Sequence, residues 1–252
     1  MARFRTEGRF ELGLIGKPLE HSFSPAFFER FWKERGLSRR WRYRLFPLDA
    51  IDQLPKLLEN ERLFGFNVTV PYKQAVLPYL DALDAHAQAM GSVNTVVVKA
   101  GIKIGFNTDW IGFQRCMRQV YPDSLPHKVL VLGSGGASKA VCYALGQWNV
   151  PFDVVSRSGP LDYAGLRGRL ASFDCIVHCT PLGTFPRVSD SPPLPYDELH
   201  SGQKLIDLVY NPPTTRFMHE GLKRGLHAVN GQVMLEAQAL EAWTLWERFA
   251  EI

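Results

Sequence analysis

Residues 128–140 (KVLVLGSGGASKA) narrow the possible folds of this chain more than any other stretch. Four branched apolar residues in a row read as a strand buried on both faces, and alanine-rich sequence after the glycines reads as a helix. A strand that runs through a glycine loop into a helix belongs to a parallel α/β sheet. In that context Gly133 permits the tight turn and Gly135 lets the backbone approach a pyrophosphate. Ser134, Gly136 and Ala137 complete the loop and supply amide donors at the helix N-terminus. The third glycine position of the dinucleotide fingerprint holds Ser138.

The rest of the chain repeats the same alternation. Strands are expected at FELGLIG, RYRLFPL and GFNVTV, with helices over PAFFERFWKERG, IDQLPKLLENER and from PYKQAVLPYL onward. VNTVVVKAGIKIGFN reads as a hairpin turning near Ala100-Gly101, and WIGFQRCMRQVY as a helix. A turn-rich break at Pro122–Pro126 opens a second unit. In it follow KVLVLG, the helix ASKAVCYALGQW, the strands FDVVSRS, DCIVHCT and KLIDLVY, and the helix TTRFMHEGLKRG. Residues 181–195 form a long proline-rich loop, and the chain ends in an amphipathic helix, MLEAQALEAWTLWERFAEI. At roughly 150 residues per domain, a chain of 252 residues accommodates one large domain or two small ones.

Composition limits the partners. The net charge of +4 suits an anionic ligand without demanding a polyanion. Arg40, Arg42 and Arg44 alternate with Trp41, Tyr43 and Leu45, the pattern of a half-buried strand with a solvated charged face, so no nucleic-acid partner is expected. No apolar run approaches a membrane span and the first residues lack a signal-peptide stretch, so a soluble, cytoplasmic protein is expected. Cys175 and Cys179 lie on one strand, too far apart for a disulfide, and no second ligand pair has zinc spacing, so no metal is expected.

Beyond the glycine loop, Ser156-Arg157-Ser158 end the next strand, with no acidic residue before Asp162. An arginine at that point pairs with a 2′-phosphate, which favours NADP over NAD. Ser22 and Ser24 flank the start of a helix, with Ser24 as its N-cap and Pro25 at its first position. Two hydroxyls beside free amides suit a carboxylate. Asn67 and Thr69 share one strand face, and Lys73 sits in the first turn of the helix that Pro71 starts. The positive end of a helix is an unfavourable place for an ammonium, which makes Lys73 a candidate for proton transfer. Asn94 and Asp109 stand in two further polar loops, and Tyr210 and Gln238 follow a strand end and open the last helix.

Taken together, GLIGKPLEHSFSP, GFNVTVPYK, GSVNTV, GFNTD, VLGSGGASKA, SRS, TPLGTFP, DLVYNP and GQVMLEAQA resemble the shikimate dehydrogenases, in order, from Leu12 to Ala239. The resemblance implies an α/β enzyme of two domains. Residues 1–109, completed by a C-terminal helix over 231–252, would be the substrate domain, and residues 110–230 a Rossmann-like NADP-binding domain. It implies reversible reduction of 3-dehydroshikimate to shikimate with NADPH, on the route to chorismate. Lys73 and Asp109 would be the catalytic pair. Ser22 and Ser24 would hold the substrate carboxylate with Tyr210 nearby, and Asn67, Thr69, Asn94 and Gln238 the ring hydroxyls. Gly133, Ser134, Gly135, Gly136 and Ala137 would cradle the pyrophosphate, with Ser156, Arg157 and Ser158 at the adenosine phosphate. Thr180, Gly231 and Met234 would line the cofactor toward its nicotinamide.

Three departures from the family pattern carry expectations. Its phosphate loop often reads Asn-Arg-Thr with a second arginine four positions after the first, where this chain has Leu161, implying a less absolute NADP preference. Trp110 follows Asp109 where glycine is common, implying a narrower mouth to the site. The short connection from Ser158 to Phe173 implies a trimmed cofactor domain. The alternatives are a quinate/shikimate dehydrogenase using NAD or NADP, and a ligand-binding homologue without turnover. A monomer or a homodimer fits either.

Overall fold

The arginine–aromatic alternation after residue 40 forms the edge of a six-stranded sheet. In the computed structural model, which describes residues 10–157 and 159–250, β1 (Phe10–Gly16) runs parallel between β2 (Trp41–Pro47) and β3 (Leu63–Val68). On β2, Trp41 and Tyr43 are buried while Arg42 and Arg44 face out. Arg44 reaches across to Glu11 on β1 at 3.1 Å. Next to β3 stands the expected hairpin of β5 (Thr95–Lys99) and β6 (Ile102–Phe106). Its two turn residues, Ala100 (φ 51°) and Gly101 (φ 81°), are left-handed, as a tight two-residue hairpin requires. The short β4 (Ala82–Leu83) closes the far edge, giving the order β2-β1-β3-β5-β6-β4.

Aromatic side chains cover one part of this sheet. α1 (Ser24–Glu34) buries Phe27, Phe28, Phe31 and Trp32, which join Trp41, Tyr43, Trp243 and Trp246 in one cluster. The Trp246 indole donates to the Val96 carbonyl at 3.0 Å, so the ring is both packed and oriented.

Three helix expectations require correction. The segment from Ile51 is a 3-10 turn leading into α2 (Leu54–Leu58), and the segment from Pro71 yields only α3 (Tyr72–Ala75) and a further 3-10 turn at Leu77–Tyr79. Pro55 and Pro78 explain this, because proline is accommodated only where a helical turn begins. A separate helix, α4 (Ala85–Met90), then starts at Asp84, whose carboxylate accepts the Ala87 amide at 2.8 Å. Finally, Ser24 is the first helical residue of α1 and Phe23 holds the cap position, with no side-chain cap. Pro25 is tolerated at the second helical position as well as at the first, since neither needs its missing N–H.

Asp109–Gln238 form a second compact unit, distinct from the described residues up to Thr108 and from Ala239 onward. It comprises α5 (Asp109–Val120), β7 (Val129–Leu132), α6 (Gly136–Gln147), β8 (Phe152–Val155), β9 (Cys175–His178), β10 (Lys204–Asp207), α7 (Arg216–Leu222), β11 (His227–Val229) and the start of α8 (Gln232–Ala250). Every strand pairing is parallel, in the order β11-β10-β9-β7-β8. β7 and β9 are buried throughout, as their unbroken apolar runs demand. The order reverses at β7, with β8 on one side and β9 on the other, and a doubly wound sheet binds its ligand beyond the strand ends at that point. Between β8 and β9 the crossover holds two 3-10 turns, Ala164–Leu166 and Leu170–Ser172, where an α-helix is usual. Leu166, Leu170 and Phe173 bury themselves there in a helix's place. β11 escapes sequence reading because three residues carry no period.

Candidate active site

In the first unit, a buried chain of hydrogen bonds links several of the singled-out residues. Ser22 and Ser24 stand where α1 begins, and Ser22 Oγ accepts the Ser24 amide at 3.3 Å. The Tyr43 phenol donates to Asn67 Oδ1 at 2.7 Å. Asn67 Nδ2 donates to the Asn94 carbonyl at 3.2 Å and to Thr95 Oγ1 at 3.1 Å. Asn94 Oδ1 in turn accepts the Thr108 amide at 2.7 Å, and its Nδ2 donates to Thr108 Oγ1 at 3.0 Å. Asn67 and Asn94 are 6% and 2% exposed, so their amides are held by protein partners rather than by water.

Tyr43 is the residue that sequence reasoning passed over. Its burial was legible from the period-2 pattern, but its partner was not, because Asn67 comes from a strand two places away in the sheet. Burial pushes the Tyr43 phenol well above its ordinary range, which keeps it a donor to Asn67.

Thr69 lies one residue past β3, its amide bonded to the Ile15 carbonyl at 2.9 Å. Lys73 occupies α3, whose four residues make a single turn, so its first turn is also its last. The expected conflict between the ammonium and a helix N-terminus is therefore weak, because a macrodipole needs several aligned turns. The Lys73 backbone is fixed instead through its carbonyl, which accepts the Val93 amide at 2.8 Å. Asp109 opens α5 and is 5% exposed. Trp110, beside it, packs edge-on against Tyr143 at 5.6 Å.

The second unit contains the nucleotide loop. Gly133 has φ +111°, and a β-carbon there would lie 2.9 Å from Thr180 Cγ2, so only glycine fits between the ends of β7 and β9. Ser134 is exposed, and a β-carbon on Gly135 would meet nothing within 4 Å. Gly135 holds the cap position of α6, where no side chain caps the first turn and no acidic residue stands in it. Gly136 and Ala137 thus present helix-terminal amides to an open space. That arrangement fits a pyrophosphate: open approach, unclaimed donors and the positive end of a three-turn helix.

Beyond β8, Ser156 is half-buried and Arg157 exposed, while Ser158 lies outside the described residues. Leu161 bridges Val155 and packs with the cluster around Phe173, so its side chain turns inward. Gly231 packs against the chain after β10, since a β-carbon there would lie 2.3 Å from the Leu208 carbonyl oxygen. Met234 is 7% exposed and belongs to the core of this unit with Phe113 and Val177. Gln238 donates to the Leu235 carbonyl of its own helix at 2.9 Å and lies against Gly112 of α5. Tyr210 is half-buried, its phenol raised by burial.

A parallel, doubly wound sheet with a glycine loop at its reversal point defines a nucleotide-binding α/β protein. Comparison with known proteins specifies which. The model of the shikimate dehydrogenase substrate binding domain matches residues 14–96. A shikimate dehydrogenase (NADP(+)) of Methanococcus maripaludis is 33% identical over 257 residues, covering 93% of this chain and 91% of that protein. The crystal structure of shikimate 5-dehydrogenase from Thermus thermophilus in complex with NADP(H) and shikimate superposes with a TM-score of 0.84 at 31% identity, covering 94% of this chain and 93% of that one. Quinate dehydrogenase from Corynebacterium glutamicum in complex with NAD gives a TM-score of 0.84 at 30% identity, covering 96% and 98%. The chain belongs to the shikimate dehydrogenase family.

Proposed function

We propose that this protein reversibly reduces 3-dehydroshikimate to shikimate with NADPH. The observation that carries this reading is the buried chain Tyr43–Asn67–Asn94–Thr108, a set of oriented amides and hydroxyls suited to a polyhydroxylated ring. Residues before Asp109 form the substrate domain with the C-terminal part of α8, and the parallel-sheet unit is the cofactor domain.

When bound, NADPH supplies a hydride to the C3 carbonyl carbon of the substrate. The chain's own groups manage charge and position. Lys73, as ammonium, gives its proton to the C3 oxygen, and in the reverse direction neutral Lys73 takes it back. Asp109, the second member of the proposed pair, is an acceptor that orients the reacting groups. Ser22 and Ser24 donate to the substrate carboxylate, with Tyr210 beside them. Asn67, Thr69, Asn94 and Gln238 read the ring hydroxyls. Gly133–Ala137 cradle the pyrophosphate, Ser156, Arg157 and Ser158 take the 2′-phosphate, and Thr180, Gly231 and Met234 lie toward the nicotinamide.

A second reading is a broader quinate/shikimate dehydrogenase that also uses NAD. The inward Leu161 favours it, because only Arg157 is left at the phosphate position. The test is nicotinamide reduction with shikimate and quinate, each paired with NADP and NAD. Turnover confined to shikimate and NADP is the expected outcome. Comparable rates with quinate or NAD establish the second reading, and folded protein that binds shikimate without turnover in any pairing overturns both.

A further inference from the structure

His178 and Asp207 form a fully buried pair at the ends of β9 and β10, both side chains 0% exposed, that the proposed chemistry does not use. His178 Nδ1 lies 2.9 Å from Asp207 Oδ1, and His178 Nε2 lies 2.5 Å from Thr180 Oγ1. Both Asp207 carboxylate oxygens have further partners. Oδ1 also accepts the Val209 amide at 2.9 Å, and Oδ2 accepts the Thr215 hydroxyl. Phe217 packs against the imidazole at 5.2 Å between ring centres, leaving the ring no room to turn toward water.

Donor and acceptor chemistry around the pair assigns the protons, with Asp207 taken as the acceptor. An ionised carboxylate only accepts, so His178 Nδ1 carries a hydrogen and donates it to Asp207. Val209 and Thr215 supply the carboxylate with two further donors, so it needs no second charge beside it. A neutral imidazole with hydrogen on Nδ1 has a lone pair on Nε2, and a buried lone pair needs a donor. Thr180 Oγ1 stands at that atom. Its methyl faces Gly133, which sets the rotamer that turns the hydroxyl toward the histidine.

We propose that His178, oriented by Asp207, is a positioning residue that draws the Thr180 proton inward and leaves Thr180 as an acceptor toward the bound cofactor. The inference rests on the reading of Thr180 as a cofactor contact. With its proton committed to Nε2, and the Leu182 amide at 3.4 Å as its protein donor, Oγ1 has a lone pair left for an outside donor. The matching groups are a ribose hydroxyl or the carboxamide N–H of a nicotinamide. A phosphate oxygen, itself an acceptor, is repelled. This gives the two ends of the nucleotide site opposite polarity, with donors at the glycine loop and an acceptor at Thr180.

The test has two parts. In the ligand-free protein, nitrogen-15 NMR of the His178 ring reads the tautomer directly, and hydrogen on Nδ1 with a bare Nε2 is the expected result. A ring bearing hydrogen on Nε2 overturns the proposal. In the second part, NADP+ and shikimate dissociation constants are measured separately for three forms. His178→Leu removes the acceptor and is expected to weaken NADP+ binding about tenfold with shikimate binding unchanged, the scale of one buried hydrogen-bonded group. His178→Gln, whose amide can donate to Asp207 and accept from Thr180, is expected to restore NADP+ binding to within about threefold of the parent. Equal NADP+ affinity in all three forms overturns the proposal, as does failure of His178→Gln to restore binding while its fold, read by circular dichroism, is intact. If His178→Leu does not fold, Thr180→Val takes its place, with the same expected loss and the same overturning result. Absence of NADP+ binding in the parent protein itself defeats the cofactor reading first, a failure visible before any variant is made.

Discussion

The two units solve opposite problems. In the first, buried polar side chains are already bonded to one another: Tyr43, Asn67, Asn94 and Thr108 hold each other's donors and acceptors around an aromatic core containing four of the six tryptophans. In the second, the strand β7 is wholly aliphatic, all four cysteines are present as free thiols, and the element proposed to face the ligand is backbone, the uncapped start of α6. On the proposed reading, one unit reads a small ring through side chains held in fixed orientations. The other would bind a generic phosphate group through amides that any sequence supplies. Selectivity for the substrate is therefore, on that reading, sensitive to side-chain substitution, and cofactor binding to loop geometry and to Arg157, the exposed arginine just after β8.

That contrast can be broken by variants that act on one side only. The largest expected effect is from Lys73→Ala, which lowers kcat by roughly 10²–10⁴-fold, the scale of general acid–base catalysis, while the NADP+ dissociation constant stays unchanged. Steady-state kinetics with a parallel binding titration checks both. Arg157→Ala raises the KM for NADP on the order of tenfold, through loss of a charge-assisted contact, and leaves the KM for shikimate as it was. An unchanged NADP/NAD ratio in that variant moves phosphate recognition elsewhere.

Smaller again is Tyr43→Phe. It strips one donor from Asn67 Oδ1 and is expected to raise the KM for shikimate by roughly two- to tenfold, corresponding to a net hydrogen bond of about 0.5–1.5 kcal/mol, without altering NADP+ affinity. The effect smallest near neutrality appears only in alkali. Burial pushes the Cys116 thiol up to about 12 and raises those of Cys142, Cys175 and Cys179, whereas an unfolded thiol ionises near pH 9. The stabilisation of the second unit by these neutral thiols is complete below about pH 9 and is lost as pH rises through 12. Thiol reactivity with a chromogenic disulfide is thus expected to stay low at about pH 8 and to rise above about pH 9 before the near-ultraviolet dichroism of the tryptophan cluster changes.

How much of this was legible in the sequence follows how local each cause is. The glycine loop, the Ala100-Gly101 hairpin and the buried face of β2 all depend on neighbours within a few residues, and a linear reading reaches them. The broken helices after Ile51 and Pro71 were misjudged because apolar periodicity continued across Pro55 and Pro78, whose missing N–H groups decide the outcome. Two site features depended on strand order and were hidden. Tyr43 meets Asn67 only through the register of β2, β1 and β3, and His178 meets Asp207 only because β9 lies beside β10. The sequence HCT shows a histidine two residues from a threonine, but not the carboxylate that arrives from 29 positions away.

The bond from Trp246 to Val96 spans 150 residues of chain. On the ribosome, the whole of Asp109–Gln238 emerges between the two partners, so the unit that is made second has all of its residues available first. At about 5–20 residues per second, Val96 waits roughly 8–30 s for its indole partner. During that interval the sheet beginning at β1 has Phe28, Trp32 and Trp41 in place but lacks Trp243 and Trp246, which belong to the same cluster. The half that is synthesised earliest is the half that matures last, and its nascent form presents an uncovered aromatic surface of the kind that chaperones hold.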